Sequence, residues 1–163
     1  MKSSIPAPSR HTRFAALVDI ENVLISDGRL LDQSEASDLV QDLRGCLGPI
    51  PTRLATGPKV LGRHTAAVTA FGAGLTLVGT SPDAADAALV EAGRDFVAAG
   101  VTDLVIVSGD HAFTELASIA RLHVVSHSHH LSRRLQLAAS TLTLIPARRP
   151  ATATAAAFRK AVI

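Results

Sequence analysis

Two stretches decide the fold: Phe14-Ala-Ala-Leu-Val18, running into Asp19-Ile-Glu-Asn22, and Leu104-Val-Ile-Val107, running into Ser108-Gly-Asp110. Each is a short run that is apolar on both faces. A strand with one face in water alternates apolar and polar residues, so a run without a polar face reads as a strand covered on both sides by helices. Weaker strand patterns occur at Thr52–Thr56, Leu75–Gly79, Leu122–Ser126 and Thr141–Ile145, the last alternating Thr with Leu or Ile as an edge strand does. Helical patterns fall between them at Ser34–Leu47, Lys59–Ala70, Asp83–Ala98, Ala112–Ala120 and Leu131–Ala139. Alternating strand and helix predicts a three-layer α/β/α sandwich with a central parallel sheet, a Rossmann-like arrangement with right-handed crossovers. The two most apolar strands, Phe14–Val18 and Leu104–Val107, belong side by side at its centre.

The 163 residues suit one domain, and 47% hydrophobic content supplies a core. With five Phe and neither Trp nor Tyr, that core is built from Ala, Val, Leu and Ile. The single cysteine, Cys46, excludes a disulfide framework and argues against a cysteine zinc site; among Leu43, Leu47 and Ile50 it reads as a small core residue. No apolar run approaches the roughly 20 residues of a membrane span, and Met1–Arg13 lacks the apolar stretch of a signal peptide. These features predict a cytoplasmic protein with no membrane partner. The domain is expected over residues 13–146. Residues 1–12 form a Ser/Pro/Arg-rich segment, and 147–163 a tail whose end, Ala155–Ile163, predicts a short helix. Net charge is only +2, but thirteen Arg against three Lys permit nucleic-acid binding without demanding it.

Ligands of open α/β sheets bind outside the carboxyl ends of the strands, where strand order reverses. The two central runs end on Asp19 and Asp110, so adjacent strands would set these carboxylates across one crevice. A third acid comes from the helix after Ser81-Pro-Asp83, where Ser can cap and Pro suits the first turn. Leu89, Gly93 and Phe96 mark its core-facing stripe, and Asp86 lies on that stripe three residues before Leu89. Three gathered carboxylates raise one another's pKa, and a divalent cation relieves both repulsion and desolvation. An all-oxygen ligand set favours Mg2+ or Mn2+. Other site classes are missing: the only Lys are Lys2, Lys59 and Lys160, none where a phosphoacceptor receiver needs one; Gly72-Ala-Gly74 precedes a strand instead of following the first; and there is no phosphate-binding P-loop.

Taken together, Phe14-Ala-Ala-Leu-Val-Asp19-x-x-Asn22, Pro82-Asp-Ala-Ala-Asp86-x-x-Leu89 and Val105-Ile-Val-Ser-Gly-Asp110-x-x-Phe113 resemble the NYN domain, a branch of the PIN-like nuclease superfamily. The likeness covers about residues 14 to 146 and extends to Val124-Val-Ser126 and Leu131-Ser-Arg-Arg-Leu135. It implies a metal-dependent endoribonuclease with Asp19, Asp86 and Asp110 as metal ligands and Asn22 orienting substrate or water, leaving a 5′-phosphate. One position departs: many relatives carry an Asp two residues after the third motif Asp, and here it is Ala112, which implies either weaker metal binding or help from Glu21 or His111.

With RNA as the partner, His111 is a candidate proton donor to the leaving oxygen. His129, Arg133 and Arg134, in Ser126-His-Ser-His-His-Leu-Ser-Arg133-Arg134, are candidate phosphate contacts, as are Arg63 and His64. Without Tyr or Trp, base stacking contributes little. The competing readings are a catalytically weak or inactive NYN-type module that binds RNA or a protein partner, and a toxin-like PIN ribonuclease held by a protein regulator; a homodimer also stays open.

Overall fold

The computed structural model describes residues 13–146, so the segments 1–12 and 147–163, including the helix expected at Ala155–Ile163, lie outside the described residues. The elements run β1 (Phe14–Asp19), α1 (Ile20–Leu24), β2 (Ile25–Ser26), β3 (Arg29–Leu30), α2 (Gln33–Leu47), β4 (Thr52–Thr56), α3 (Pro58–Ala70), β5 (Gly74–Leu77), α4 (Ala84–Ala98), β6 (Asp103–Val107), a 3-10 helix (His111–Ser118), β7 (Arg121–His127), α5 (Arg133–Ala138) and β8 (Ala139–Ile145).

Six strands form one parallel sheet in the order β5-β4-β1-β6-β7-β8. β1 and β6 are neighbours at its centre, paired from Phe14↔Asp103 to Val18↔Val107, and both are buried throughout. Alternate residues of β1 enter two separate cores. Ala16 and Val18 pack with α2 and α3 residues such as Leu39, Leu43, Val60 and Val68. Ala15 and Leu17 pack with Leu89 of α4, Phe113 and Leu116 of the 3-10 helix, and Leu135 of α5. The sheet is therefore the middle of three layers. From β1 the chain steps outward to β4 and β5 with its helices on one face. It then crosses back along α4 and steps to β6, β7 and β8 with its helices on the other face. Opposite directions on opposite faces are what a single crossover hand requires. Strand order reverses between β1 and β6, and their carboxyl ends frame the crevice.

Gly93 lets α4 lie close against this centre: a methyl group there would stand 3.0 Å from a Leu17 methyl carbon and 2.9 Å from one of Leu116. Two turns earlier on the same helix, Asp86 is thereby brought over the end of β1. The helix begins differently from the expected Ser81 cap. Its N-cap is Asp83, in the left-handed region at φ 59°, with no side-chain cap hydrogen bond. Ser81 contributes only its carbonyl, which accepts from the Ala84 N–H at 3.3 Å.

Other differences are local. The helix expected at Ala112–Ala120 is a 3-10 helix, and α5 is shorter than Leu131–Ala139. Cys46 is half-buried instead of a core residue. A small antiparallel hairpin, β2–β3, intervenes after α1; its two turn residues, Asp27 (φ 52°) and Gly28 (φ 74°), are both left-handed, the conformation Asp-Gly favours in a two-residue hairpin loop. Among the described residues no helix is long and apolar enough to cross a membrane.

Candidate acidic site at the carboxyl edge of the sheet

Asp19 ends β1 and is 6% exposed. Its Oδ1 accepts from the backbone N–H groups of Glu21 at 3.1 Å and Asn22 at 3.2 Å, starting α1. Its Oδ2 accepts from the Ser108 hydroxyl at 3.3 Å. That same hydroxyl oxygen accepts from the Asp110 N–H at 3.2 Å, so one serine ties the first acidic motif to the third. A second tie runs from the Gly109 N–H to Asn22 Oδ1 at 3.0 Å. Asn22 thus holds the loop carrying Asp110. Asp110 caps the 3-10 helix by accepting from the Ala112 N–H at 2.7 Å. The hydrogen bonds to Asp19 favour its charged form, but burial outweighs them and pushes its pKa up to about 6.

Asp86 stands apart from its neighbours. Its Oδ1 is buried with no hydrogen-bond partner among the described residues. Burial, then the charges of Asp19 and Asp110, push its pKa up to about 7. Asp19, Glu21, Asn22, Asp86 and Asp110 all line one cavity of about 490 Å³. Its walls are Gly57 with Pro58 and Lys59 at the start of α3, the loop from Val78 to Asp83, Ala84 and Ala85 of α4, Ile25, and His130. Glu21 fixes the α3 wall by accepting from the Gly57 N–H at 3.1 Å.

The expected acids therefore share one cavity, but as a loose set. Among the described residues no group of three or more His, Cys, Asp and Glu is arranged to hold a metal ion. Even so, a carboxylate oxygen that is buried and unpartnered, beside two further carboxylates, is a donor set that suits a hard divalent cation.

A solved structure shares this fold. It is a crystal structure of a protein of unknown function from Vibrio parahaemolyticus, with a TM-score of 0.61 and 16% identity, covering 86% of this chain and 97% of that one. At that identity the likeness speaks for the fold alone. No family model and no curated protein matches the chain.

The remaining candidates divide. Arg63, Arg133 and Arg134 are exposed. His64 is not: it is 1% exposed, on the buried stripe of α3 with Val60, Ala67 and Val68, and neither ring nitrogen has a hydrogen-bond partner. It is unavailable to an RNA backbone, which corrects that expectation. His129 is engaged elsewhere: its Nε2 accepts from the Asp27 N–H at 2.9 Å and fastens the β2–β3 hairpin to the loop after β7. His111 does not line the cavity; its exposed ring stands at the rim, with Nδ1 3.1 Å from Asp110 Oδ1.

Lys59 and His130 line the cavity and were not among the expected site residues. The signal for Lys59 was its place at the first turn of a helix that leaves a strand's carboxyl end. For His130 no local signal existed, because it arrives through long-range packing. A methyl group on Gly109 would stand 2.7 Å from the Ser126 hydroxyl and 2.6 Å from the His130 carbonyl carbon. Only a glycine there lets the loop after β7 close over the site, and the Ser132 N–H seals the contact by donating to the Gly109 carbonyl at 2.8 Å.

Proposed function

We propose that the protein is a cytoplasmic, metal-dependent endoribonuclease of the NYN branch of PIN-like nucleases, acting at the carboxyl-edge cavity. One observation carries the reading: Asp86 keeps a buried, unpartnered carboxylate oxygen in a cavity that it shares with Asp19 and Asp110. A partly buried acidic cluster destabilises a fold unless a cation compensates it, and such perturbed groups gather at functional sites. The three spaced motifs support the same reading, and the single, half-buried Cys46 suits a reducing compartment.

Asp19, Asp86 and Asp110 would hold a Mg2+ or Mn2+ ion. When bound, such an ion supplies a concentrated positive charge that acidifies water and polarises a phosphoryl oxygen. The chain's own residues do the positioning. Backbone N–H groups and Ser108 fix Asp19; the Ala112 N–H fixes Asp110; Asn22 keeps the Asp110 loop beside β1. Asp86 is left free to meet a cation. Water attacks the phosphorus, the P–O3′ bond breaks, the 3′ oxygen takes a proton, and a 5′-phosphate remains.

The test is cleavage of single-stranded RNA with Mn2+, with chelator, and by Asp110→Asn. Cleavage that needs the metal and is lost in the variant supports the reading; cleavage indifferent to both refutes it. Two features favour a second reading, a module that binds RNA or a protein without cutting: Ala112 stands where many NYN relatives carry an Asp, and the acids do not form a closed ligand group among the described residues. RNA binding without metal-dependent cleavage would select it.

A further inference from the structure

A second cluster of reactive side chains lies toward the amino ends of the strands, away from the acidic cavity. Asp103 opens β6 and is 2% exposed; His123, the third residue of β7, is 3% exposed. Asp103 Oδ1 stands 2.9 Å from His123 Nε2. On the other side of the same ring, His123 Nδ1 stands 2.9 Å from the hydroxyl oxygen of Thr141 on β8. Side chains from three adjacent strands thus make one hydrogen-bonded line, from carboxylate to imidazole to hydroxyl.

The carboxylate sets the direction of the protons in that line. Burial alone would raise the Asp103 pKa, but hydrogen bonds from His123, Thr102 and Arg121 outweigh it and hold it below 3.8. An ionised carboxylate only accepts, so the neutral imidazole carries its proton on Nε2. Nδ1 is then a bare lone pair, and the Thr141 hydroxyl donates to it. The ring is held in place from two sides. Asp103 is itself fixed by the Thr102 hydroxyl at 2.7 Å and by Arg121 at 3.0 Å. The Phe14 ring packs against the imidazole with centroids 5.4 Å apart. A hydroxyl that donates to a base, with the base oriented by a third group, is the arrangement of an activated nucleophile.

An irregularity in the sheet aims Thr141 into this line. Leu122 pairs with Ala139, but the next residue, His123, pairs with Thr141, so Ser140 is passed over. In unbroken register Thr141 would fall on the opposite face from His123, because side chains alternate along a strand. Such one-residue shifts re-aim side chains and gather at sheet edges and beside active sites. β8 is an edge strand and Thr141 is half-buried, so a reagent can reach the hydroxyl while the base and the carboxylate stay dry.

We infer that Thr141 is the nucleophile of a second reactive site, one that takes the acyl group of an activated ester. The Thr141 oxygen bonds to the acyl carbon as its proton passes to His123 Nδ1. The ester C–O bond breaks, and the leaving oxygen takes that proton from the imidazole. The products are an acylated Thr141 and a free alcohol. Asp103 is a positioning residue: it keeps the ring in the accepting tautomer and offsets the charge of the imidazolium. The site is independent of the nuclease reading.

The experiment treats the full chain, in chelator, with p-nitrophenyl acetate across a pH series and follows acetylation by peptide mass mapping. Thr141 should be acetylated at a rate that rises with pH as His123 becomes neutral and then levels. Thr141→Ser should keep the label at that position. His123→Gln should slow it by about 10²–10⁴-fold, and Asp103→Asn should lower the plateau by about 10²-fold or more, with folding of each variant checked by circular dichroism. Thr141→Val should leave Mn2+-dependent RNA cleavage unchanged. Acetyl groups confined to lysines or the amino terminus overturn the inference, as does labelling of Thr141 at the wild-type rate in folded His123→Gln. A wild-type rate at Thr141 that climbs with hydroxide without levelling, as that of an unassisted hydroxyl does, overturns it without recourse to any variant.

Discussion

Asp86→Asn should make the metal-free protein more stable, which is the reverse of what replacing a half-buried ionic residue usually does. Burial and the charges of Asp19 and Asp110 raise the Asp86 pKa from 3.8 to about 7. Its folded-state pKa lies above its unfolded value, so the folded chain holds the proton more tightly. Stability from this group is complete below the unfolded pKa and is lost as pH rises from about 4 to about 7. Three units at about 1.4 kcal/mol each would bound the cost of ionising it near 4 kcal/mol. Asp86 is only half-buried, and solvent screening brings the expected gain for the isosteric, uncharged Asn down to about 1–2 kcal/mol. For a chain of this size that is a rise of about 3–6 °C in Tm. The assay is thermal unfolding in chelator, followed by circular dichroism, from about pH 4 to about pH 8. The variant should melt higher near neutral pH, and the two curves should meet near pH 4, where both side chains are neutral. With excess Mn2+ the order should reverse, since the cation stabilises only the chain that binds it. An Asn variant that melts lower than wild type in chelator at neutral pH would refute the argument, because Asp86 would then be making favourable contacts.

Three further changes probe the scaffold. Gly109→Ala should cost about 2–3 kcal/mol in denaturant melts and weaken cleavage, since the added methyl collides with the His130 backbone and the Ser126 hydroxyl. His64→Leu should be neutral to stabilising by about 1 kcal/mol near neutral pH, by removing a buried imidazole with no partner. Burial, then Arg63, lowers the His64 pKa, so wild type loses stability as pH falls below the unfolded value of 6.5; urea midpoints for the Leu variant should be flatter over that window. Asp103→Asn should cost about 3 kcal/mol, because Asp103 is buried at the amino edge and pairs with His123 at 2.9 Å and Arg121 at 3.0 Å. Burial raises the Asp103 pKa, but the hydrogen bonds from His123, Thr102 and Arg121 outweigh it and hold the pKa below 3.8, so this contribution is lost only in acid. The Mn2+ response of that variant should stay intact, since the acidic cavity is at the other end of the strands.

The sheet and its centre could be read from the sequence because two-sided burial leaves a signature in few residues. Ala15 to Val18 and Leu104 to Val107 have no polar face to offer water, and Asp19 follows the first directly while Asp110 follows the second after Ser108-Gly109. Asp86 was legible for the same reason, as a charge on a stripe that otherwise reads Leu89 and Gly93. The burial of His64 was equally available: it sits four residues after Val60 and three before Ala67. Its polarity, weighed without its helical phase, hid it. The β2–β3 hairpin was missed because two-residue strands are too short to show a period, although Asp27-Gly28 carried the turn. The start of α4 at Asp83, without a side-chain cap, follows from how the chain must turn out of β5, which Ser81-Pro82 does not encode. His130 meets the cavity only through packing between distant segments, and no spacing in the sequence records that.

Calorimetric titration of Mn2+ into the wild-type chain near pH 6.5 tests the acidic site most directly, because Asp19 and Asp86 have pKa values raised to about 6 and about 7. One ion should bind with release of protons, so that the heat changes with the ionisation enthalpy of the buffer, and binding should vanish in Asp86→Asn. Heats no larger than dilution, or an Asn variant that binds as the wild type does, would mean that these carboxylates are not gathered for a cation.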